Sequence, residues 1–317
     1  MISYTEENIQ RILQNLKENI REKKFSSSKF PLFVFICGEQ ILDENSQIMA
    51  AEDLRSKKNK RQYILDAIDE IKNRKVVGVI AEKLIETFSE HDSLTFEGIL
   101  ADISDEIIII VESVGTFCEL GAFSFSKDLV DKLYIINDEQ HREDKSFINR
   151  GPIRKINDSR SGETKYIIYD TDEWKQDLEL KNHFEKWEKN TPPEKITINT
   201  KEKCQVDIKN FVYEVINILS IFQPITQKEF LLIYKFMRGE FSVKDSQNKV
   251  KQISTIFDMM VRLELITKES EFYTTNMGTC CNNYMFDLTI NETEEQRAKI
   301  LKEYNKYDPA RCGGSNV

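Results

Sequence analysis

Four consecutive isoleucines and a valine, Ile107 to Val111, form an unbroken apolar run in the first half of the chain. A strand with one wet face alternates, so this unbroken run predicts a parallel strand buried on both sides, in the middle of a sheet. Small polar residues follow, Glu112-Ser113-Val114-Gly115-Thr116, and then Phe117 to Phe123 with apolar residues at helical spacing. The order is strand, tight turn, helix. Further strands are predicted at Leu32 to Cys37, ended by Gly38, at Lys75 to Ile80, at Leu133 to Ile136, and at Lys165 to Tyr169, which closes the sheet. A long helical pattern, broken once, occupies Asn45 to Arg74, and a shorter one Thr95 to Ile103. Strands alternating with helices predict an α/β fold, a flavodoxin-like, doubly wound parallel sheet.

Ahead of the sheet, Ile9, Ile12, Leu13, Leu16 and Ile20 make Tyr4 to Lys23 an amphipathic helix. It would pack on the sheet or on a second copy of the chain, and composition does not choose. Beyond Asp170 charged residues surround Trp174 and Trp187 and lead to Thr191-Pro192-Pro193, the mark of a connector. The expected division is therefore a catalytic domain over 1–170, a charged helical connector over 171–195, and a second domain over 196–317.

That second domain has its own pattern. Val206 to Phe222 is an apolar helix stopped by Pro224, and Thr226 with Glu229 forms a capping box that opens a helix to Met237. A third helix is predicted from Lys249 to Leu263, with short strands at Leu265 to Thr267 and Phe272 to Thr274, then a tail helix opened by Asn291 and Glu294. Three helices and a hairpin in that order resemble a winged helix, whose third helix would carry Lys249 and Lys251 into a nucleic-acid groove. Acids nearly balance bases there, so a protein-binding winged helix is an equal prospect.

Composition narrows the classes. Net charge is −9 over 317 residues, against indiscriminate adhesion to nucleic acid though not against a local basic face. Such a face is offered by Arg55, Lys57, Lys58, Lys60 and Arg61, a cluster that is either solvated or set against a phosphate backbone. No apolar run approaches the roughly eighteen residues that cross a bilayer, and the polar start MISYTEENIQ is unlike a signal, so a cytoplasmic protein without membrane contact is expected. Six scattered cysteines without a CxxC pair, and three distant histidines, predict reduced thiols and no metal site.

Candidate chemistry gathers at the carboxyl ends of the strands, where open α/β sheets bind ligands against helix amino termini. Glu119, expected in the first turn of the helix after the central strand, is either a catalytic acid or a complement to the helix dipole. Glu112, at the end of that strand, is the second carboxylate. Candidate substrate contacts are Cys37 and Gly38 on the first strand's loop, Glu82 after the second strand, and Ser113, Gly115 and Thr116 in the turn. Asn149 and Arg150, before the fixed turn Gly151-Pro152, would touch substrate or its diphosphate, or simply anchor their loop. Asp102 is assigned to helix-end and turn chemistry, and Asp105, at the start of the strand away from the ligand edge, is not taken as catalytic.

GTFCELGAF resembles the GTxxELG motif of nucleoside deoxyribosyltransferases, whose glutamate attacks the anomeric carbon of an N-glycoside. FVFICG (Phe33 to Gly38), SLTFEGILADISDEIIIIVES (Ser93 to Ser113) and KSFINRGPIRKI (Lys145 to Ile156) are similar, in the same order, to the deoxyribosyltransferase-like effectors of bacterial retrons. The resemblance implies that Glu119 is the nucleophile and that the chain is a toxic N-glycosidase. Its substrate would be NAD, whose cationic nicotinamide leaves without a proton donor, and no cofactor would be needed. Deoxyribosyl transfer or another nucleotide is the runner-up, and a nucleotide-sensing module without catalysis the contrasting class. Implied partners are the retron reverse transcriptase and its multicopy single-stranded DNA joined to RNA, which would hold the effector inactive until phage infection, in a homo-oligomer or larger assembly. Two departures stand out: Glu39 replaces a second glycine of the related effectors, and Glu112 lies about one position out of register with the base-binding aspartate of the transferases.

Overall fold

The computed structural model of the chain describes residues 7, 9–11, 13–14, 24–27, 31–39, 60–71, 76–80, 93–159, 166–169, 194–197, 204–245, 248–276 and 289–312. Two compact units divide the chain, and the division does not follow chain order. Strand β1 (Lys24–Ser27) pairs antiparallel with β7 (Glu194–Thr197), so residues 1–30 fold with 192–317, and 31–191 form the other unit. Residues 1–30, which the sequence groups with the sheet, cluster instead with the later unit. Ile9 and Leu13 are buried, and Arg11 pairs with Glu303 of the same unit at 2.7 Å. The proposed connector at 171–193 lies outside the described residues.

The sheet unit holds β2 (Leu32–Cys37), β3 (Val76–Val79), β4 (Glu106–Ile110), β5 (Leu133–Asp138) and β6 (Tyr166–Tyr169), all parallel, in the order β3-β2-β4-β5-β6. Its helices are α1 (Lys60–Asp69), α2 (Ser93–Ile103), α3 (Val114–Phe125) and α4 (Arg154–Ser159). Both faces are covered, which is why β2 and the Ile107–Ile110 run of β4 are apolar. Val34, Ile36, Ile108 and Ile110 pack on one face with Ile64 and Ile68 of α1. On the other, Phe35 meets Phe123 of α3 at a ring separation of 6.3 Å. Gly78 lets α1 sit close to β3, since a Cβ there would lie 2.4 Å from Leu65 Cδ2. Asp105 clamps the amino end of the sheet: its carboxylate accepts the Phe33 N–H at 2.8 Å and its own N–H donates to the Phe33 carbonyl at 2.7 Å.

The other unit runs β8 (Cys204–Asp207), α5 (Ile208–Phe222), β9 (Ile225–Thr226), α6 (Gln227–Arg238), β10 (Phe241–Lys244), α7 (Ile253–Arg262), β11 (Ile266–Glu269), β12 (Phe272–Thr275) and α8 (Ile290–Tyr307). Strands β9, β12 and β11 form an antiparallel sheet with β12 central, and β10 pairs parallel with β8. Edge-to-face and tilted rings of Phe211, Phe230, Tyr234 and Phe257 fill its core. The Thr226/Glu229 capping box forms as expected. Two boundaries move. Helix α7 starts at Ile253 rather than Lys249, and α8 is capped by Thr289 and Glu292 instead of Asn291 and Glu294. Among the described residues no helix is long and apolar enough to cross a membrane, and no cluster of His, Cys, Asp or Glu could hold a metal ion.

Candidate functional site

In a parallel sheet of this order the chain winds one way from β2 to β3 and the other way from β4 outward, so β2 and β4 flank the topological switch point where ligands bind. Glu112 sits there, one residue past the end of β4 and Val111. Its Oε1 accepts the Glu39 N–H at 3.0 Å and its Oε2 pairs with Lys60 Nζ at 2.8 Å, both side chains being largely shielded from solvent. The Arg61 guanidinium in turn donates to the Glu39 carbonyl. Arg61 can do this because its stem crosses Gly38, where a Cβ would come within 2.7 Å of Arg61 Cγ and Cδ.

Gly38→Ala is therefore expected to push the buried Arg61 off the Glu39 carbonyl and loosen the N–H that fixes Glu112. Overpacking of this kind costs about 1–3 kcal/mol. Urea unfolding followed by circular dichroism measures it, and a variant as stable as the parent would contradict the packing described.

Of the cluster read as a possible nucleic-acid face, Lys60 pairs with the Glu112 carboxylate and the buried Arg61 donates to the Glu39 carbonyl. Arg55, Lys57, Lys58 and Glu82 lie outside the described residues. Ser113 and Thr116 are reassigned, since their polar atoms close the cap of α3. Thr116 Oγ1 accepts the N–H groups of Glu112 (3.2 Å) and Ser113 (3.0 Å) and donates to the Ser113 carbonyl at 2.8 Å, while Ser113 Oγ accepts the Thr116 N–H at 3.3 Å. They shape the turn rather than reach out of it. Gly115 is exposed beside them.

A cavity of about 360 Å³ opens over this cap, lined by Lys60, Glu112, Phe117, Asn137, Asp138 and His141, among others. Asn137 and Asp138 close β5 as Val111 and Glu112 follow β4, so neighbouring strands deliver polar groups to one edge. His141 joins them from the next turn, its Nδ1 2.9 Å from the Asp144 carboxylate. Asp138, His141 and the role of Lys60 were not identified from sequence; the strand-end position of Asn137-Asp138 was the available signal.

Glu119 belongs to a different side of α3. The helix begins at Val114, so Glu119 lies in its second turn and does not serve the first-turn dipole, which corrects the expected placement. It is half-buried, four residues before Phe123 and hence on the same face, the face that meets Phe35 of β2. Cys37, buried, follows Phe35 by two residues on the same side of the sheet. Helix and strand run in opposite directions, so one turn back from Phe123 and two residues on from Phe35 converge on the carboxyl edge. Phe117 lines the cavity, and Glu119 is not among its lining residues. The two carboxylates flank the amino end of α3, and Glu112 alone lines the cavity.

Asn149 and Arg150 begin a π-helical turn, Asn149–Ile153, widened around Pro152. The Asn149 amide donates to the carbonyls of His141 (2.6 Å) and Asp144 (2.9 Å), so the anchoring role weighed for it is the one present. It still lines the cavity. Arg150 is exposed and lines a second cavity beside the first. In the other unit Lys251 is half-buried and pairs with Asp245 at 2.8 Å, whereas Lys249 is exposed just before α7.

Residues 57–268 match the family described as STM3845 retron effector protein, more than half of the chain. Two curated proteins of Escherichia coli are similar over shorter stretches. The "Retron Ec73 putative ribosyltransferase/DNA-binding protein" is 40% identical over 86 residues, 27% of this chain and 27% of that relative. The "Retron Ec86 putative ribosyltransferase/DNA-binding protein" is 46% identical over 67 residues, 21% of this chain and 22% of the relative. The matched stretches therefore span about a quarter of each relative's length.

Proposed function

We propose, on the premise that the chain belongs to the STM3845 retron effector family, that it is an N-glycosidase whose substrate is NAD and whose product is free nicotinamide. The observation that carries this reading is the pair of carboxylates at the sheet's switch point, Glu112 held by Lys60 and the Glu39 N–H, and Glu119 on the second turn of α3. Cleavage breaks the bond between C1′ of the ribose and the pyridinium nitrogen. The bonding pair goes to the ring, which leaves neutral, and positive charge grows on the sugar. Glu119 supplies the negative charge for that carbon, as an ester to C1′ or as an ion facing it while water adds. Water ends as the 1′-hydroxyl and one released proton. Both oxygens of Glu112 are already engaged, which suits it to positioning the ribose or base rather than to attack.

The relatives' names extend the reading. As proteins called ribosyltransferase and DNA-binding, they support glycosyl transfer in the sheet unit and nucleic-acid contact in the other. There β9, β12 and β11 with α5, α6 and α7 follow the order of a winged helix, and α7 with Lys249 is the proposed contact for the single-stranded DNA of a retron. In this scheme that complex with the reverse transcriptase restrains the glycosidase until infection.

The test is to incubate the purified full-length chain with NAD and separate the products by liquid chromatography. Nicotinamide and ADP-ribose in equal amounts are expected. Nicotinamide accompanied by a ribosylated acceptor would reassign the reaction to transfer, and intact NAD would refute the glycosidase.

A further inference from the structure

The second cavity, of about 340 Å³, adjoins the Glu112 cavity and shares Asn137 and Asn149 with it. Its charge is opposite. Arg142, Arg150 and Arg154 line it with one acid, Asp158, whereas the first cavity gathers Glu112, Asp138 and Asp144 against Lys60 and His141. Arg150 and Arg154 project from the π turn and the start of α4, four residues apart, and Arg142 comes from the loop that Asn149 anchors.

These guanidinium groups are weakly committed. Arg142 is 3.5 Å from Glu139 and 3.9 Å from Glu143, Arg154 is 3.7 Å from Asp158, all in exposed pairs, and the Arg150 side chain has no partner among the described residues. Loose surface pairs of this kind yield readily to a doubly charged anion, which guanidinium binds through paired N–H groups. Pro152 contributes as well: without an N–H it cannot continue an α-helical ladder, and the wider turn it occupies displays Arg150 away from the core.

An acidic cavity joined to an arginine cavity across two asparagines matches a ligand with a cationic base at one end and phosphate at the other. We infer that the arginine cavity is the phosphate subsite of the enzyme, so that it selects nucleotides over nucleosides. This rests on the glycosidase reading for the identity of the first cavity's occupant, and it goes further in naming what distinguishes the substrate.

The experiment is calorimetric titration of the full-length Glu119→Gln chain with NAD and, separately, with nicotinamide riboside, repeated in the added background of Arg150→Gln and of Arg154→Gln. NAD is expected to bind at least about tenfold more tightly than the riboside, and each arginine change to shrink that ratio severalfold. Circular dichroism confirms that the variants fold. Equal affinity for the two compounds, no binding of either, or a ratio untouched by both arginine changes would overturn the subsite. The two readings fail separately. Nicotinamide released by the parent chain at the same rate from NAD and from the riboside removes the phosphate subsite and keeps the glycosidase. Tight, arginine-dependent binding of NAD without any release does the reverse.

Discussion

Glu119→Gln is expected to abolish nicotinamide release from NAD, lowering the rate by about a thousandfold or more, while the fold and the affinity for NAD stay close to the parent's. An amide is isosteric with the carboxylate but carries no charge and forms no ester, so the loss falls on the charge-separated transition state and spares the bound ground state. The side chain is half-buried on the second turn of a helix whose cap is complete without it, and little else should change. Single-turnover kinetics with excess enzyme isolates the chemical step. Retention of even a tenth of the parent rate would remove Glu119 from the mechanism and turn attention to Glu112, the carboxylate that lines the cavity.

The second large effect lies in the other unit. Glu214 is fully buried on α5, where one oxygen accepts from the Arg238 guanidinium and the other from the Tyr234 hydroxyl. Arg238→Met should destabilise that unit by about 3–5 kcal/mol near neutral pH, because it strands a charge in an apolar core. The effect has a pH signature. Burial, working against the opposing pull of Arg238 and the Tyr234 hydrogen bond, raises the Glu214 carboxyl above its ordinary value. The stability this group contributes is therefore complete below its unfolded pKa and is lost as pH rises through the folded one. Removing Arg238 raises the folded value further, so the variant's deficit should be larger at pH 8 than at pH 5. Hydrogen exchange of the α5 amides reads this unit by itself. A deficit below about 1 kcal/mol, or one indifferent to pH, would contradict the assignment of Arg238 as the partner that keeps Glu214 tolerable. Glu214→Leu combined with Arg238→Met and Tyr234→Phe should recover most of the loss, since it replaces the buried charged pair and the hydroxyl that donates to it by apolar groups.

Sequence pattern located the strands of the sheet and the helix after β4 well, and for an identifiable reason. Burial on both faces demands unbroken apolar runs, and Ile107 to Ile110 has no other comfortable environment. Capping chemistry was equally local: Thr226 and Glu229 lie three residues apart and meet across one turn. The pairing of Lys60 and Arg61 was not legible because a lysine and an arginine opening a helix look alike whether that first turn faces water or a neighbouring strand end. Lys60 finds Glu112 only after β2 and β4 are placed side by side, 52 residues apart in the chain. Ser113 and Thr116 were misread for the related reason that a hydroxyl in a turn serves ligand or cap equally well on paper.

By itself, the order of residues determined that this chain builds alternating strands and helices around a buried parallel ribbon, and that two glutamates stand near the end of that ribbon. Those properties follow from period and propensity, which act over a few neighbours. Only the tertiary structure decided that β4 pairs with β2, that the first thirty residues join the far end of the chain, that Glu112 is locked by Lys60 and the Glu39 N–H, and that three arginines meet beside an acidic cavity. Such contacts join residues tens to hundreds of positions apart, and what selects among them is which faces can be buried together, a property no short stretch of sequence carries.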